Sequence, residues 1–203
     1  MKTSTKQIST DGGPAKVALD GPGTATFLLV MTHGAAGGVD TKDLLAVRDA
    51  ALALDGAVAR VLQPYRVRGS RAPGSADRQD AAWLEVVAAL RQRYPDLPLV
   101  QGGRSNGARV ACRTAQAAAA SGVVALAFPL HPPGQPAKTR VDELRAAGTD
   151  VLVVNGERDP FGIPDKRDAA RVIVLPGETH SLSKNPAAVG DAVGSWLREL
   201  LSG

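Results

Sequence analysis

The chain has 203 residues, a formal charge of +4 and 44% hydrophobic side chains, enough to enclose the sizeable core of a single domain spanning 1–203. Aromatics make up only 3% and acids are interleaved with arginines nearly everywhere, so the basic balance does not read as a nucleic-acid surface, which needs stacking rings and unopposed cations. No stretch approaches the ~18 uninterrupted apolar residues of a membrane span. The opening "MKTSTKQISTDGG" has no apolar core for a secretory signal, and the single Cys112 excludes an internal disulfide framework and suits a reducing cytoplasm.

In chain order, "KQIST" and "AKVALD" predict an antiparallel edge hairpin within residues 1–24. The run "FLLVMT" is the first of six short apolar stretches, followed by "VARVLQP", "LPLVQGG", "VVALAFP", "DVLVVNG" and "RVIVLPG". None alternates polar with apolar, the pattern of strands covered on both faces. Helical stretches lie between them. "DLLAVRDAALALDG" predicts a helix that stops at Gly56, and "SADRQDAAWLEVVAALRQRYP" opens at Ser75 and carries Trp83, Val86, Val87 and Leu90 at a 3.6-residue period. "NGARVACRTAQAAAASG" and "VGDAVGSWLRELL" predict two more. Strand alternating with helix implies an α/β fold with a mostly parallel, twisted sheet and helices on both faces. No repeat, low-complexity tract or linker divides the chain.

The junction "QGGRSNGARVA" places Ser105 between Gly103 and Gly107, where strand propensity ends and helix propensity begins. G-x-S-x-G in a strand–turn–helix context marks a sharp bend that lifts a serine hydroxyl above the sheet, at the positive end of the following helix. An accidental match in a chain with 22 glycines is the competing explanation. A serine needs a base and the base an orienting acid, later in the chain and at strand ends. Among three histidines, His180 follows the last apolar run. "DVLVVNGERDPFG" supplies Asp159 after the run before it, with Glu157 as the weaker rival. Against this, His180 could be a surface histidine and Asp159 a turn residue.

An oxyanion hole requires two backbone N–H groups. One is expected from Asn106, the other from "THGAAGG" after the first central strand, at Ala35 or its alternate Ala36. His33 begins that loop and reads first as a residue pinning it, with a substrate contact as a second role. His131, in "PLHPPGQPAK" near the pocket mouth, reads first as structural, with a substrate contact as the lesser option, and Arg104, beside the serine, is a further candidate for substrate contact. Arg66, Arg68 and Arg71 in "YRVRGSRAPG" form a solvated loop or a grip on an anionic substrate. Cys112 reads as a buried packing residue. No cofactor or metal is expected.

Together "LLVMTHGAAGGVD", "PYRVRGSRAP", "QGGRSNGARVA", "FPLHPPGQP", "VNGERDPFG" and "PGETHSL" resemble a small lidless branch of the α/β-hydrolase superfamily, in order over roughly residues 25 to 200. That branch includes dienelactone-hydrolase-like bacterial hydrolases, testis-expressed protein 30 and a subunit of the non-specific-lethal histone acetyltransferase complex. The resemblance implies an α/β-hydrolase fold with no cap domain, Ser105 as nucleophile, Asp159 as acid and His180 as base. Where branch members carry Lys-Ser-Met-Gly-Gly, this chain has Arg104-Ser105-Asn106-Gly107-Ala108. The expected activity is hydrolysis of a small or exposed ester or thioester. A non-catalytic interaction module on the same scaffold is the alternative.

Overall fold

A computed structural model describes residues 3–202. Eight strands form one sheet in the order β1-β2-β4-β3-β5-β6-β7-β8. They are β1 (Ser4–Ile8), β2 (Ala15–Asp20), β3 (Phe27–Thr32), β4 (Gly56–Leu62), β5 (Leu99–Arg104), β6 (Gly122–Leu126), β7 (Asp150–Gly156) and β8 (Arg171–Leu175). β1 pairs antiparallel with β2 and β2 antiparallel with β4, while every pairing from β4 through β8 is parallel. The N-terminal hairpin is therefore present; Met1 and Lys2 lie outside the described residues.

Burial explains why the apolar runs become central strands. Every residue of β3 and β6 is buried. Side chains alternate between faces along a strand, so Phe27, Leu29 and Met31 of β3 join Leu44, Val47, Val189, Val193 and Trp196 on one side. Leu28 and Val30 join Trp83, Val86, Val87 and Leu90 on the other. The first side is covered by α1 (Lys42–Leu52) and α6 (Pro186–Ser202), the second by α3 (Ala76–Arg93) and α4 (Asn106–Thr114). Val123, Ala125, Val151 and Val153 continue the second side towards Leu144 of the short α5 (Val141–Arg145).

Three local expectations are corrected. The first long helix stops at Leu52 rather than at Gly56, because Asp55 turns the chain through a positive φ of 58° and Gly56 already belongs to β4. A methyl at Gly56 would lie 2.5 Å from the Phe27 ring, so the residue is small to let that ring in. The "YRVRG" loop contains a turn of helix, α2 (Pro64–Val67), which starts at the proline. β8 is partly exposed rather than covered on both faces, since it is a sheet edge. From Ala127 to Arg140 the chain is a loop without helix or strand, so no cap sits over the C-terminal ends of the strands.

Candidate active site

The bend at Ser105 is built from backbone clearance. Ser105 adopts φ 52° and ψ −116°, a strained conformation for a residue with a side chain. A methyl on Gly103 would lie 2.7 Å from the Gly107 carbonyl carbon and 2.8 Å from the Thr32 oxygen. One on Gly107 would lie 2.7 Å from the Thr32 oxygen and 2.8 Å from the His33 oxygen. Both glycines are thus required by close approach of the β3 end. The Ser105 N–H donates to the Leu126 carbonyl at the end of β6, and α4 begins at the next residue with its positive end at the serine.

Ser105, Asp159 and His180 come together from three strand ends. The Ser105 hydroxyl donates to His180 Nε2 at 2.8 Å, and His180 Nδ1 donates to Asp159 Oδ2 at 2.8 Å. The Asp159 side chain is fully buried and its Oδ1 accepts the Phe161 N–H at 2.9 Å, which orients the carboxylate. The Phe161 ring lies on the imidazole, 4.2 Å between centroids and tilted 31°. Glu157, the rival acid, is exposed and accepts the Gly177 N–H instead.

The loop after β3 is a tight turn in which Gly37 N–H donates to Gly34 O. Among the described residues, the N–H groups of Ala35, Ala36 and Asn106 donate to no protein acceptor. A methyl on Gly34 would lie 3.4 Å from Ser105 Cβ, so this turn is against the serine. Ala35 of the turn and Asn106 of α4 are both tied to a neighbouring wall. Tyr65 OH donates to Ala35 O at 2.9 Å, and Asn106 Nδ2 donates to Gln79 Oε1 at 2.7 Å. Tyr65 and Gln79 also line a cavity of about 460 Å³ that reaches Gly12 of the hairpin turn. Burial pushes the Tyr65 phenol up to about 12, leaving its proton in place to donate.

The four candidates for substrate contact all make polar contacts within the protein. His33 is fully buried. Its Nδ1 donates to Gly34 O at 2.8 Å and its Nε2 accepts the Gln63 N–H at 3.0 Å, one tautomer satisfying both. Burial first, then the charge of Arg66, pushes its pKa down to about 4 against the pull of the Gly34 carbonyl. Arg66 spends Nε on Gly37 O and Nη1 on Ser70 O, bracing the same turn. Arg104 donates to Asp43 and to the His180 carbonyl. His131 donates Nδ1 to Pro132 O and packs over Gly162, in the turn that carries Asp159. Of the other loop arginines, Arg68 donates to Gly12 O and Arg71 is exposed. Cys112 is buried, and burial raises its thiol to about 12, which makes it inert. Tyr65, Gln79, Phe161 and Asp43 were not singled out from sequence; the scarcity of tyrosine was the one available signal, for Tyr65.

Among the described residues, no group of three metal-binding side chains converges and no helix is long and apolar enough to cross a membrane. A lone histidine flanked by a hydroxyl and a buried carboxylate is an arrangement for moving a proton.

Solved structures with the same fold include Est1E from Butyrivibrio proteoclasticus, with a TM-score of 0.81 and 16% identity over 98% of this chain and 99% of that one. XC6422 from Xanthomonas campestris, described as an a/b serine hydrolase without lid, gives 0.75 and 19% over 100% and 97%. A dienelactone hydrolase from Anabaena variabilis gives 0.74 and 16% over 98% and 97%. No curated protein matches the sequence directly. At the level of sequence, residues 25–185 match the family model described as the alpha/beta hydrolase domain, and the chain belongs to that family.

Proposed function

We propose that the protein is a serine hydrolase that cleaves small or exposed carboxylic ester or thioester bonds through an acyl-enzyme. The observation that carries this is the continuous hydrogen-bonded line from a strained, glycine-flanked Ser105 to His180 Nε2 and from Nδ1 to buried Asp159, 2.8 Å at each step. His180 takes the Ser105 proton as Oγ attacks the carbonyl carbon. Asp159 holds the Nδ1–H tautomer and stabilises the imidazolium. The Asn106 and Ala35 N–H groups hold the developing oxyanion. His180 then protonates the leaving alcohol or thiol, and water repeats the cycle on the acyl-enzyme.

The uncapped 127–140 loop supports an open site, and an open site suits short or exposed acyl groups better than long chains that need an apolar cover. Est1E, a structural neighbour, has been solved with ferulic acid bound, which favours esters of small acids as the substrate class. The stretch "PLHPPG" supports placing the chain in the lidless branch that includes testis-expressed protein 30.

A fluorophosphonate probe tests the reading. The protein should be labelled at Ser105, and Ser105→Ala should lose both labelling and p-nitrophenyl acetate turnover while keeping its fold. Turnover at the wild-type rate in that variant would remove Ser105 from the mechanism. An unlabelled wild type would favour the interaction-module alternative.

A further inference from the structure

Arg104 ends β5, immediately before Ser105, and its side chain is only 14% exposed. Its guanidinium reaches two segments remote in the chain. Nε donates to Asp43 Oδ2 at 2.7 Å and Nη2 donates to the His180 backbone carbonyl at 2.7 Å. The third nitrogen lies along the turn of Ala35: a methyl on Gly34 would sit 3.2 Å from Nη1. Asp43, in the first turn of α1, is fully buried, and its second oxygen has no hydrogen-bond partner among the described residues.

This is a costly anchor. A buried carboxylate loses its hydration and is held by one guanidinium, whereas an apolar pair of similar volume would serve packing as well or better. What the ion pair adds is direction. His180 sits in a segment between β8 and α6 that has no regular hydrogen-bond ladder of its own. Its imidazole is restrained by Asp159 and Phe161; the Arg158 N–H holds the Glu178 carbonyl and the Leu182 N–H turns back to Thr179 O, but at His180 itself the main-chain hydrogen bond is the one from Arg104. Arg104 supplies that bond from the residue adjoining the serine, so both ends of the proton transfer share one rigid group. The planar fork has donors diverging towards two acceptors; a lysine ammonium on a flexible stem has no such fixed geometry.

We propose that Arg104, oriented by Asp43, is a positioning residue that sets His180 against Ser105. The proposal rests on the reading of Ser105 as nucleophile and His180 as base. Arg104 touches no reacting atom and acts through the His180 main chain.

The test is the rate of fluorophosphonate labelling per folded molecule, with kcat and KM for p-nitrophenyl acetate measured beside it. Arg104→Met should label about 10- to 100-fold more slowly, the scale of a small misplacement at a reacting centre, with the loss in kcat exceeding any change in KM. That variant leaves Asp43 charged and unpaired, so its thermal midpoint should fall. The double variant Arg104→Met/Asp43→Leu removes the stranded charge; its midpoint should recover while labelling stays slow. Recovery of stability without recovery of rate separates positioning from structural support. Arg104→Lys, which keeps the charge opposite Asp43 but not the fork, should also label slowly and decides the matter if the double variant fails to fold. A folded double variant, or in its place Arg104→Lys, labelling at the wild-type rate would overturn the inference and leave the hydrolase reading standing. An unlabelled wild type would instead sink the hydrolase reading itself.

Discussion

His33 makes the turn beside Ser105 sensitive to acid. Its imidazole is fully buried and neutral, with Nε2 accepting the Gln63 N–H. A protonated ring has no lone pair to accept with, so charging it costs burial of the cation and strands a buried N–H. The folded pKa is about 4 against 6.5 for an exposed histidine. Between those values the unfolded chain binds a proton that the folded chain does not, so stability rises with pH. His33 therefore contributes its stabilisation in full above about pH 6.5 and loses it progressively down to about pH 4. At ~1.4 kcal/mol per unit, the total is about 3 kcal/mol, a large share of a domain's margin. The assay is urea unfolding at several pH values for the wild type and for His33→Gln, which retains an acceptor but does not titrate. Carboxylates titrate in both proteins and cancel in the comparison. The wild type should lose about 3 kcal/mol more than the variant between pH 6.5 and pH 4. Parallel stability curves would refute the account of His33 as a neutral buried strut.

The remaining predictions concern the site directly. Asp159→Asn should leave the fold intact and lower kcat by about four orders of magnitude, because an amide facing Nδ1 favours the wrong imidazole tautomer; p-nitrophenyl acetate kinetics check this. Gly107→Ala should destabilise by roughly 1–3 kcal/mol in thermal unfolding, since the new methyl meets the Thr32 and His33 carbonyls at under 3 Å and must push the turn of Ala35 away. Tyr65→Phe removes the bond to Ala35 O; denaturation should report a loss of about 1 kcal/mol, and kcat should fall more than KM changes.

What was legible in the sequence was what the local chain demands of itself. Six apolar runs with no polar alternation read as strands covered on both sides, and all six form strands in order, the last of them partly exposed at the sheet edge. Gly103 and Gly107 announce a bend because a serine between two glycines at a strand–helix junction is a local turn signal, although the clearance that requires them is set by the Thr32 and His33 carbonyls at the end of β3. Asp159 and His180 are picked out by position alone, each a residue of suitable chemistry after a strand, and the fold brings both to Ser105. The readings that failed, the helix stop at Gly56 and the full burial of β8, depend on what packs against them: the Phe27 ring in one case and an open sheet edge in the other.

The assignments of Arg66 and Arg104 show the limit. An arginine near a serine reads from sequence as a substrate contact, since nothing in the chain says which of its donors are already taken. Arg104 finds Asp43 at a separation of 61 residues and the His180 carbonyl at 76. Hydrogen bonds act over 3 Å in space and carry no signature along the chain, so only the folded chain, which brings α1 and the loop after β8 to the end of β5, shows which protein groups these arginines already hold.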